Sequence, residues 1–343
     1  MIELADYDYA LPPSAIAQAP LAERSDARLL ALDRRTGARA HRGIRDLPEL
    51  LRPGDLLVLN ATRVVPARLR GAKPSGGRVE ALLLGAMGPP GRFEALVKIR
   101  RGVALGLRLR FTRGERAADA EIAALLDHGR VALQFDAGVD PYALGETPLP
   151  PYIARAAADP RDAERYQTVF ARTPGSVAAP TAGLHFTHAL LEAIRARGIE
   201  TAELILHVGI GTFRPLRDED LAAGALHAER FELPAATARA LADTRARGGR
   251  VVAVGTTSAR VLETCADGAG GVVAGAGETQ LLLAPGANFR VVDALLTNFH
   301  LPRSSLLLLV AAFAGREPVL AAYREAIALG YRFYSYGDAM LIS

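Results

Sequence analysis

The stretch Val251-Val252-Ala253-Val254-Gly255-Thr256-Thr257-Ser258-Ala259-Arg260 decides the fold class. Its four apolar residues predict a buried strand, and the hydroxyl residues after Gly255 predict a turn into a helix that begins at Ser258. A strand that leads directly into a helix is typical of α/β proteins. The free N–H groups of such a helix start favour an anion, while Ser258 as an ordinary N-cap explains the same residues.

The same alternation extends on both sides of this stretch. Residues 56–59 and 202–208 predict strands, and residues 189–197 and 237–247 predict helices that end at glycine. The outer parts of the chain therefore predict an α/β main domain with a mixed sheet.

Residues 64–151 show a different pattern of apolar and turn-forming residues. Short runs of apolar residues, such as those at 78–84 and 131–135, are separated by Gly- and Pro-rich turns. This pattern predicts a small all-β, barrel-like domain inserted into the α/β domain. We expect an α/β domain formed by residues 1–63 and 152–343, with the insertion between them.

Positive charge is concentrated in the predicted insertion. Residues 64–116 hold twelve Lys and Arg against three acidic residues. Such asymmetry favours a surface that binds a polyanion, and a solvated strand face is the alternative.

Composition excludes several classes of protein. The chain has 343 residues, of which 50% are hydrophobic and 23% charged, as in ordinary globular proteins. The longest apolar run, at 306–314, is about half of what a membrane-spanning helix needs, and the first residues lack the pattern of a secretory signal. One cysteine, Cys265, is too few for an internal disulfide or a cysteine-based zinc site. We expect a cytoplasmic protein without a metal.

Two glycine- and histidine-containing segments are candidates for a functional site. In the segment 179–187, His185 can exchange a proton near neutral pH, or it can be a satisfied buried histidine beside a helix capped by Thr187. In the segment 206–215, a strand is expected to run past His207 into a glycine loop. A lone histidine after a strand is usually structural, whereas the paired glycines with Thr212 and Arg214 close by favour ligand binding. Strand ends are where an open α/β sheet places its ligands.

Two further segments carry polar residues in apolar surroundings. Asn298 and His300 lie in the segment 293–302, and Asp338 lies in an aromatic-rich tail at 331–340. The tail could stack a base or close the core. Common signatures of ATP, dinucleotide and zinc enzymes are absent from the chain.

In this order, these segments resemble the S-adenosylmethionine:tRNA ribosyltransferase-isomerase family of queuosine biosynthesis. Further blocks that carry the resemblance are Asp6-Tyr7-Asp8-Tyr9, Pro53-Gly54-Asp55, Leu149-Pro150-Pro151-Tyr152-Ile153 and Arg165-Tyr166-Gln167-Thr168-Val169-Phe170. The resemblance spans essentially the whole chain and is weakest over 71–147. Ala61 and Ala287 depart from the family pattern, so we assign no catalytic role to either position.

The resemblance implies transfer of the ribosyl part of S-adenosylmethionine to 7-aminomethyl-7-deazaguanine at the wobble position of tRNA. Isomerisation then gives epoxyqueuosine, and adenine and methionine are released. S-adenosylmethionine is consumed, so no metal or other cofactor is implied. The expected partner is the anticodon stem-loop, and we expect a monomer that does not bind membranes.

The resemblance also suggests roles for individual residues. His185 and His207 are the acid and base candidates, with Asp338 as an alternative base. Residues expected to bind S-adenosylmethionine are Thr181, Gly183, Gly209, Gly211, Thr212, Arg214, Gly255, Thr256, Thr257, Ser258, Asn298 and His300. Residues expected to contact tRNA are Arg63, Arg100, Arg101 and Arg165.

Two other functions fit part of the sequence. A non-catalytic RNA-binding protein would explain the basic insertion but not the glycine and histidine segments. An S-adenosylmethionine-dependent RNA methyltransferase would use the same cosubstrate, but the chain lacks the usual glycine-rich loop after the first strand.

Overall fold

Strands and helices alternate along the outer parts of the chain, and a block of strands lies between them. The computed structural model describes residues 2–100, 102–154, 159–209, 211 and 216–343. The strands are β1 Arg28–Leu32, β2 Arg39–Gly43, β3 Leu56–Asn60, β4 Thr62–Val64, β5 Arg68–Ala72, β6 Arg78–Ala86, β7 Arg92–Ile99, β8 Arg108–Arg113, β9 Arg116–Leu125, β10 Arg130–Phe135, β11 Thr173–Ser176, β12 Glu200–Leu206, β13 Ala225–Leu233, β14 Val251–Val254, β15 Gly275–Leu281, β16 Ala294–Asn298 and β17 Ala339–Ile342. The α-helices are α1 Leu47–Leu50, α2 Asp162–Arg165, α3 His188–Ala196, α4 Asp218–Ala223, α5 Ala235–Ala246, α6 Gly255–Thr264, α7 Ser305–Ala314 and α8 Arg316–Ala328.

Within the described residues, nine strands form one mixed sheet in the order β15-β13-β12-β3-β14-β16-β17-β1-β2. Strands β12, β3, β14 and β16 are parallel neighbours, so their carboxyl ends lie at one edge. The alternation of side chains along each central strand supplies both faces with apolar residues. Leu56 and Val58 of β3 face one core, while Leu57 and Leu59 face the other. The predicted α/β domain with a mixed sheet is confirmed.

The predicted barrel is also confirmed. Strands β5 to β10 form a closed antiparallel barrel in the order β10-β7-β6-β5-β8-β9. Its interior is filled by apolar side chains such as Leu69, Phe111 and Phe135. The described barrel strands fall inside residues 64–151, and the exact boundaries of the inserted domain stay a prediction.

The helix after β14 begins earlier than the sequence predicts. Helix α6 starts at Gly255, and Ser258 lies inside its first turn instead of capping it. Gly255 has a φ of 86°, in the left-handed region that favours glycine, and this conformation turns the chain from strand to helix in one residue. The Ser258 hydroxyl donates to the carbonyl of Val254 at 2.8 Å. Ser258 as an N-cap is therefore wrong, whereas the Thr187 hydroxyl does cap α3, accepting from the N–H of Leu190.

Helices α7 and α8 follow one another along the chain and meet at Gly315 with a bend of 115°. They pass a length and hydropathy test for a membrane span only when counted together; within the described residues, no single helix passes it. Leu307 to Ala311 of α7 are buried in the core of the main domain.

Candidate active site

Polar residues gather at the carboxyl edge of the four parallel strands. Strand β3 ends at Asn60, β14 leads into Gly255, and β16 ends at Asn298. The amide of Asn60 accepts from the N–H of Leu206 and donates to its carbonyl, which holds the end of β12 against β3. This edge is the ligand-binding position of an open α/β sheet.

A cavity, here called the central cavity, opens at this edge and contains about 690 Å³ of empty space including its open mouth. It is lined by residues 178–182, 255–257, 297–298 and 334–335 with Tyr152, Tyr166, Val208, Glu229, Arg260, His300 and Leu306. Of these 19 residues, nine carry polar or charged side chains, three are tyrosines and seven are apolar or glycine. Convergent polar groups in an apolar and aromatic surround are what orient a ligand in small-molecule sites.

Three buried polar atoms at the central cavity have no hydrogen-bond partner in the described structure. They are Thr257 Oγ1, Arg260 Nη2 and Asn298 Oδ1. Buried polar groups are paired in nearly all folded proteins, so these three atoms leave the cavity with hydrogen-bonding capacity that a polar ligand or water can satisfy. The amide nitrogen of Asn298 is already engaged, because it donates to the carbonyl of Tyr334 at 3.0 Å.

His300 is a fixed, neutral part of the wall. Its Nε2 lies 2.8 Å from Thr297 Oγ1, and its backbone N–H donates to the hydroxyl of Tyr323. Complete burial lowers its pKa to about 3. His300 is thus unprotonated at neutral pH.

Tyrosines form one side of the central cavity. Tyr334 is a non-glycine residue with a φ of 74°, and the rings of Tyr334 and Tyr152 meet edge to face. The hydroxyl of Tyr152 hydrogen-bonds to that of Ser335. Strained backbone conformations of this kind are concentrated at ligand sites. The wall is suited to stacking against a flat ring.

A second depression, the interdomain groove, lies between the barrel and the α/β domain. From the barrel side it is lined by residues of β6, β7 and β10, including Glu94 and Arg130, and by His128. From the α/β side it is lined by His207, Gly209, Gly211, His227 and Arg230, among others. Val208 and Glu229 line both the groove and the central cavity, so the two spaces adjoin there.

His207 stands at this junction. Its Nδ1 lies 2.8 Å from Thr62 Oγ1, and its ring packs against Gly175, where a Cβ atom would come within 2.7 Å of the ring. Burial, and secondly the positive charge of Arg230, hold the pKa of His207 below its usual value. When Nδ1 donates to Thr62, Nε2 keeps a free electron pair and can accept a proton.

His185 and Asp338 do not line the central cavity. His185 is buried in a 3₁₀ turn, Thr181–His185, with its two ring nitrogens 3.1 Å and 3.0 Å from the carbonyls of Ala182 and Gly337. Burial lowers its pKa. Asp338 accepts from the backbone N–H groups of Arg28 and Arg332. Both side chains thus contact backbone groups of neighbouring segments and hold those segments in place. The catalytic assignment of both residues stays a prediction.

The structure separates the residues expected to bind S-adenosylmethionine into groups. Those that line the central cavity are Thr181, Gly255, Thr256, Thr257, Asn298 and His300, while Gly209 and Gly211 line the groove. Ser258 is buried in α6, and Gly183 packs closely against Phe170 and Thr168. Thr212 and Arg214 lie outside the described residues.

The arginines expected to contact tRNA have different surroundings. Arg63 and Arg100 are exposed, and the structure gives neither side chain a described partner. Arg165 donates to the carbonyls of Ala22 and Leu21, which ties α2 to the N-terminal segment. Arg101 lies outside the described residues.

Sequence reasoning missed Glu229 and Arg260 as site residues. Glu229 is 6% exposed and Arg260 is 6% exposed, and their side chains form an ion pair. Arg260 lies in the quoted strand-to-helix segment, so its position was a usable signal. Nothing in the sequence around Glu229 indicates a site residue, because polar and apolar residues simply mix along β13. Its ion-pair partner, Arg260, is 31 residues away in sequence.

Metal-binding groups are not clustered in the part of the chain that the structure describes. No three His, Cys, Asp or Glu side chains come together there in a way that could hold a metal ion.

Comparisons with known proteins cover nearly the whole chain. The family model described as "Queuosine biosynthesis protein" matches residues 4–342. A protein named S-adenosylmethionine:tRNA ribosyltransferase-isomerase from Anaeromyxobacter sp. (strain K) is 53% identical over 99% of both chains. One of the same name from Acidithiobacillus ferrooxidans is 53% identical over 98% of this chain and 97% of its own. The crystal structure of S-adenosylmethionine tRNA ribosyltransferase from Thermotoga maritima has 38% identity and a TM-score of 0.57, over 98% of this chain and 100% of that one.

Proposed function

The chain belongs to the queuosine biosynthesis protein family, and from this premise we propose how its site carries out the reaction for which its relatives are named. The enzyme transfers the ribosyl part of S-adenosylmethionine to tRNA and isomerises it. The acceptor is 7-aminomethyl-7-deazaguanine at the wobble position, and the product is epoxyqueuosine-tRNA. Adenine and methionine leave.

This reaction sets clear chemical demands. The sulfonium acidifies the hydrogens on the neighbouring carbon, so a base is needed there, and an acid is needed to protonate the departing adenine. The reactive intermediate must also be shielded from water. S-adenosylmethionine is itself consumed, so we propose that the enzyme uses no resident metal or cofactor.

One observation supports the proposal most directly: the central cavity and the interdomain groove share two lining residues, Val208 and Glu229, and therefore adjoin. The central cavity is suited to S-adenosylmethionine, because it combines a tyrosine wall with unpaired polar atoms. The groove is larger, with about 2130 Å³ of empty space including its open side, and it is bordered by the barrel, so it is suited to the tRNA base. His207 lies beside the junction with a lowered pKa and a ring nitrogen free to accept a proton. We therefore place the general base at His207.

The inserted barrel is the proposed tRNA-binding surface, although its charge is more balanced than residues 64–116 suggest. Residues 64–151 together hold 13 basic and nine acidic residues. Several arginines of the barrel are paired, including Arg108 with Glu121 and Arg110 with Asp119. Arg100 is exposed without such a partner, and it is therefore the better candidate for a phosphate contact.

The direct test of the function is product analysis. Purified protein is incubated with S-adenosylmethionine and tRNA that carries the aminomethyl-deazaguanine base, and small molecules and digested tRNA are examined by mass spectrometry. We expect tRNA-dependent release of adenine and methionine, with epoxyqueuosine in the digest. S-adenosylhomocysteine would indicate a methyltransferase, and tRNA binding without adenine release would indicate a binding protein.

Reversal of positive charge on the barrel should lower the affinity of the enzyme for tRNA. For Arg100→Glu combined with Arg101→Glu, we expect weaker binding and a shallower dependence of log Kd on log salt, by roughly one unit of slope for each phosphate that is no longer neutralised. The control is Arg239→Glu, which changes an exposed arginine of α5 outside the groove. An unchanged salt slope in the double variant would remove the barrel from the tRNA interface.

Arg230 should set the pH range over which His207 works. Its guanidinium lies near Gly85 of the barrel, where a Cβ atom would come within 3.7 Å of Nη2. Burial lowers the pKa of His207, and the charge of Arg230 lowers it further. A base must be unprotonated, so the lowered pKa keeps the enzyme active on the acidic side of neutrality. In Arg230→Gln the pKa rises toward its usual value, and the acidic limb of single-turnover rate against pH, at saturating tRNA, moves to higher pH. Arg239→Gln should not move it.

We also propose that the enzyme acts as a cytoplasmic monomer on the anticodon stem-loop. Its two substrates are available in the cytoplasm. Sedimentation of the enzyme with an isolated anticodon stem-loop tests both the stoichiometry and the sufficiency of that fragment.

A further inference from the structure

A buried ion pair crosses the wall between the central cavity and the groove. Glu229 of β13 accepts from the N–H of Gly209 at 2.8 Å with Oε1, and its Oε2 accepts from Nη1 of Arg260. Arg260 Nε donates to the carbonyl of Leu281 at 3.0 Å. These contacts leave one nitrogen of the guanidinium, Nη2, buried and without a described partner.

The arginine lies on the helix whose N-terminus borders the same cavity. Residues 255–257 form the start of α6 and line the cavity together with Arg260. Helix α6 has ten residues, and no side chain caps its N-terminus. Unsatisfied N–H groups at a helix start carry partial positive charge and favour an anion. The free edge of a guanidinium favours the same kind of ligand.

We propose that Arg260 and the amino end of α6 bind the methionine carboxylate of S-adenosylmethionine. This inference rests on the proposed function, and it orients the cosubstrate within the central cavity. The carboxylate is the single anionic group of the molecule, and a guanidinium held at Nε and Nη1 can turn only Nη2 toward it. Glu229 is a positioning residue, because it fixes the guanidinium on one side and the Gly209 backbone on the other.

A cosubstrate without the carboxylate tests the assignment. Decarboxylated S-adenosylmethionine keeps the adenosine, the sulfonium and the amine. With the complete enzyme and its tRNA substrate, we expect kcat/KM for adenine release to be about 10- to 100-fold lower for this analogue, as for the loss of a charge-assisted hydrogen bond. Equal values for the two cosubstrates in the wild-type enzyme would overturn the proposal without any variant.

Substitution of the arginine should abolish this preference. In Arg260→Gln we expect the ratio of the two kcat/KM values to fall close to one, with most of the loss for S-adenosylmethionine in KM. The matched control is Arg239→Gln, which changes an exposed arginine outside the cavity and should keep the wild-type ratio. In Glu229→Gln the amide oxygen can still accept from Gly209, but the NH₂ group then faces the Nη1 donor of Arg260, so the guanidinium is no longer fixed and we expect a ratio between those of wild type and Arg260→Gln. Glu229→Gln with Arg260→Gln removes both buried charges, and it replaces Arg260→Gln if the single variant does not fold.

The outcomes separate this inference from the proposed function. A ratio that stays at its wild-type value in the Arg260 variants would show that a different group binds the carboxylate, although adenine release would still support ribosyl transfer. Absence of adenine release from either cosubstrate with the wild-type enzyme would instead contradict the proposed function itself.

Discussion

Replacement of His207 by asparagine is expected to lower the single-turnover rate of ribosyl transfer by about 10²- to 10⁴-fold, the usual contribution of a positioned general base. Asparagine retains an amide nitrogen near the position of Nδ1, so the contact with Thr62 can persist while the basic Nε2 is lost. The measurement is adenine release from preformed complexes with saturating S-adenosylmethionine and tRNA. Binding of both substrates should change little.

The matched control for His207 is the other candidate histidine. His185→Asn alters a buried ring that bridges the carbonyls of Ala182 and Gly337. We expect a lower melting temperature, with the single-turnover rate of the folded protein within about tenfold of wild type, because no proton transfer is lost. If His185→Asn lost the larger part of the rate while His207→Asn kept it, the general base would be His185.

Removal of the Asp338 carboxylate is expected to destabilise the fold and not the transition state. Asp338 is 2% exposed, and its carboxylate accepts from the N–H groups of Arg28 at 2.9 Å and Arg332 at 2.8 Å. The same carboxylate lies 3.5 Å from Nε of Arg28. Asp338→Ala leaves two part-buried N–H donors without their acceptor, at a cost of at most about 1–3 kcal/mol each in the free energy of unfolding. Urea denaturation of wild type and variant in parallel measures this loss.

Asp338→Asn distinguishes a structural role of Asp338, as acceptor for two backbone N–H groups, from a catalytic role as the base. Its oxygen can accept from one of the two N–H groups, while its NH₂ group opposes the other, so the loss of stability should be smaller than in Asp338→Ala. A carboxylate that acted as the base would be lost completely in this variant. A wild-type denaturation midpoint combined with a rate decrease of about 10²-fold or more would therefore assign the base to Asp338.

Hydrogen bonds within the tail around Asp338 position residues of the cavity wall. Asp338 and Arg332 hold the ends of a turn in which Tyr334 adopts a positive φ. That turn places Tyr334 and Ser335 in the wall of the central cavity. The sequence indicated an aromatic tail that either stacks a base or closes the core. In the structure Phe333 closes the core, because it is fully buried, whereas Tyr334 lines the cavity and its stacking on a base stays a prediction.

Much of the architecture follows from local sequence. Apolar runs at 56–59 and 251–254 predicted strands β3 and β14, and the change of texture after residue 64 predicted the barrel. These predictions succeed because the spacing of apolar residues along a strand shows whether one or both of its faces are buried. The error at Ser258 is of the same local kind, because a hydroxyl after a glycine fits either an N-cap or the first turn of a helix.

The sequence by itself determined the α/β class, the inserted barrel, the family and most of the segments that line the site. Only the tertiary structure decided which polar residues share a cavity: it separated His207 from His185 and paired Glu229 with Arg260 across 31 positions. Local patterns encode which face of a strand or helix is buried. They do not encode which strand ends become neighbours, because sheet order and the burial of charges are settled by long-range packing.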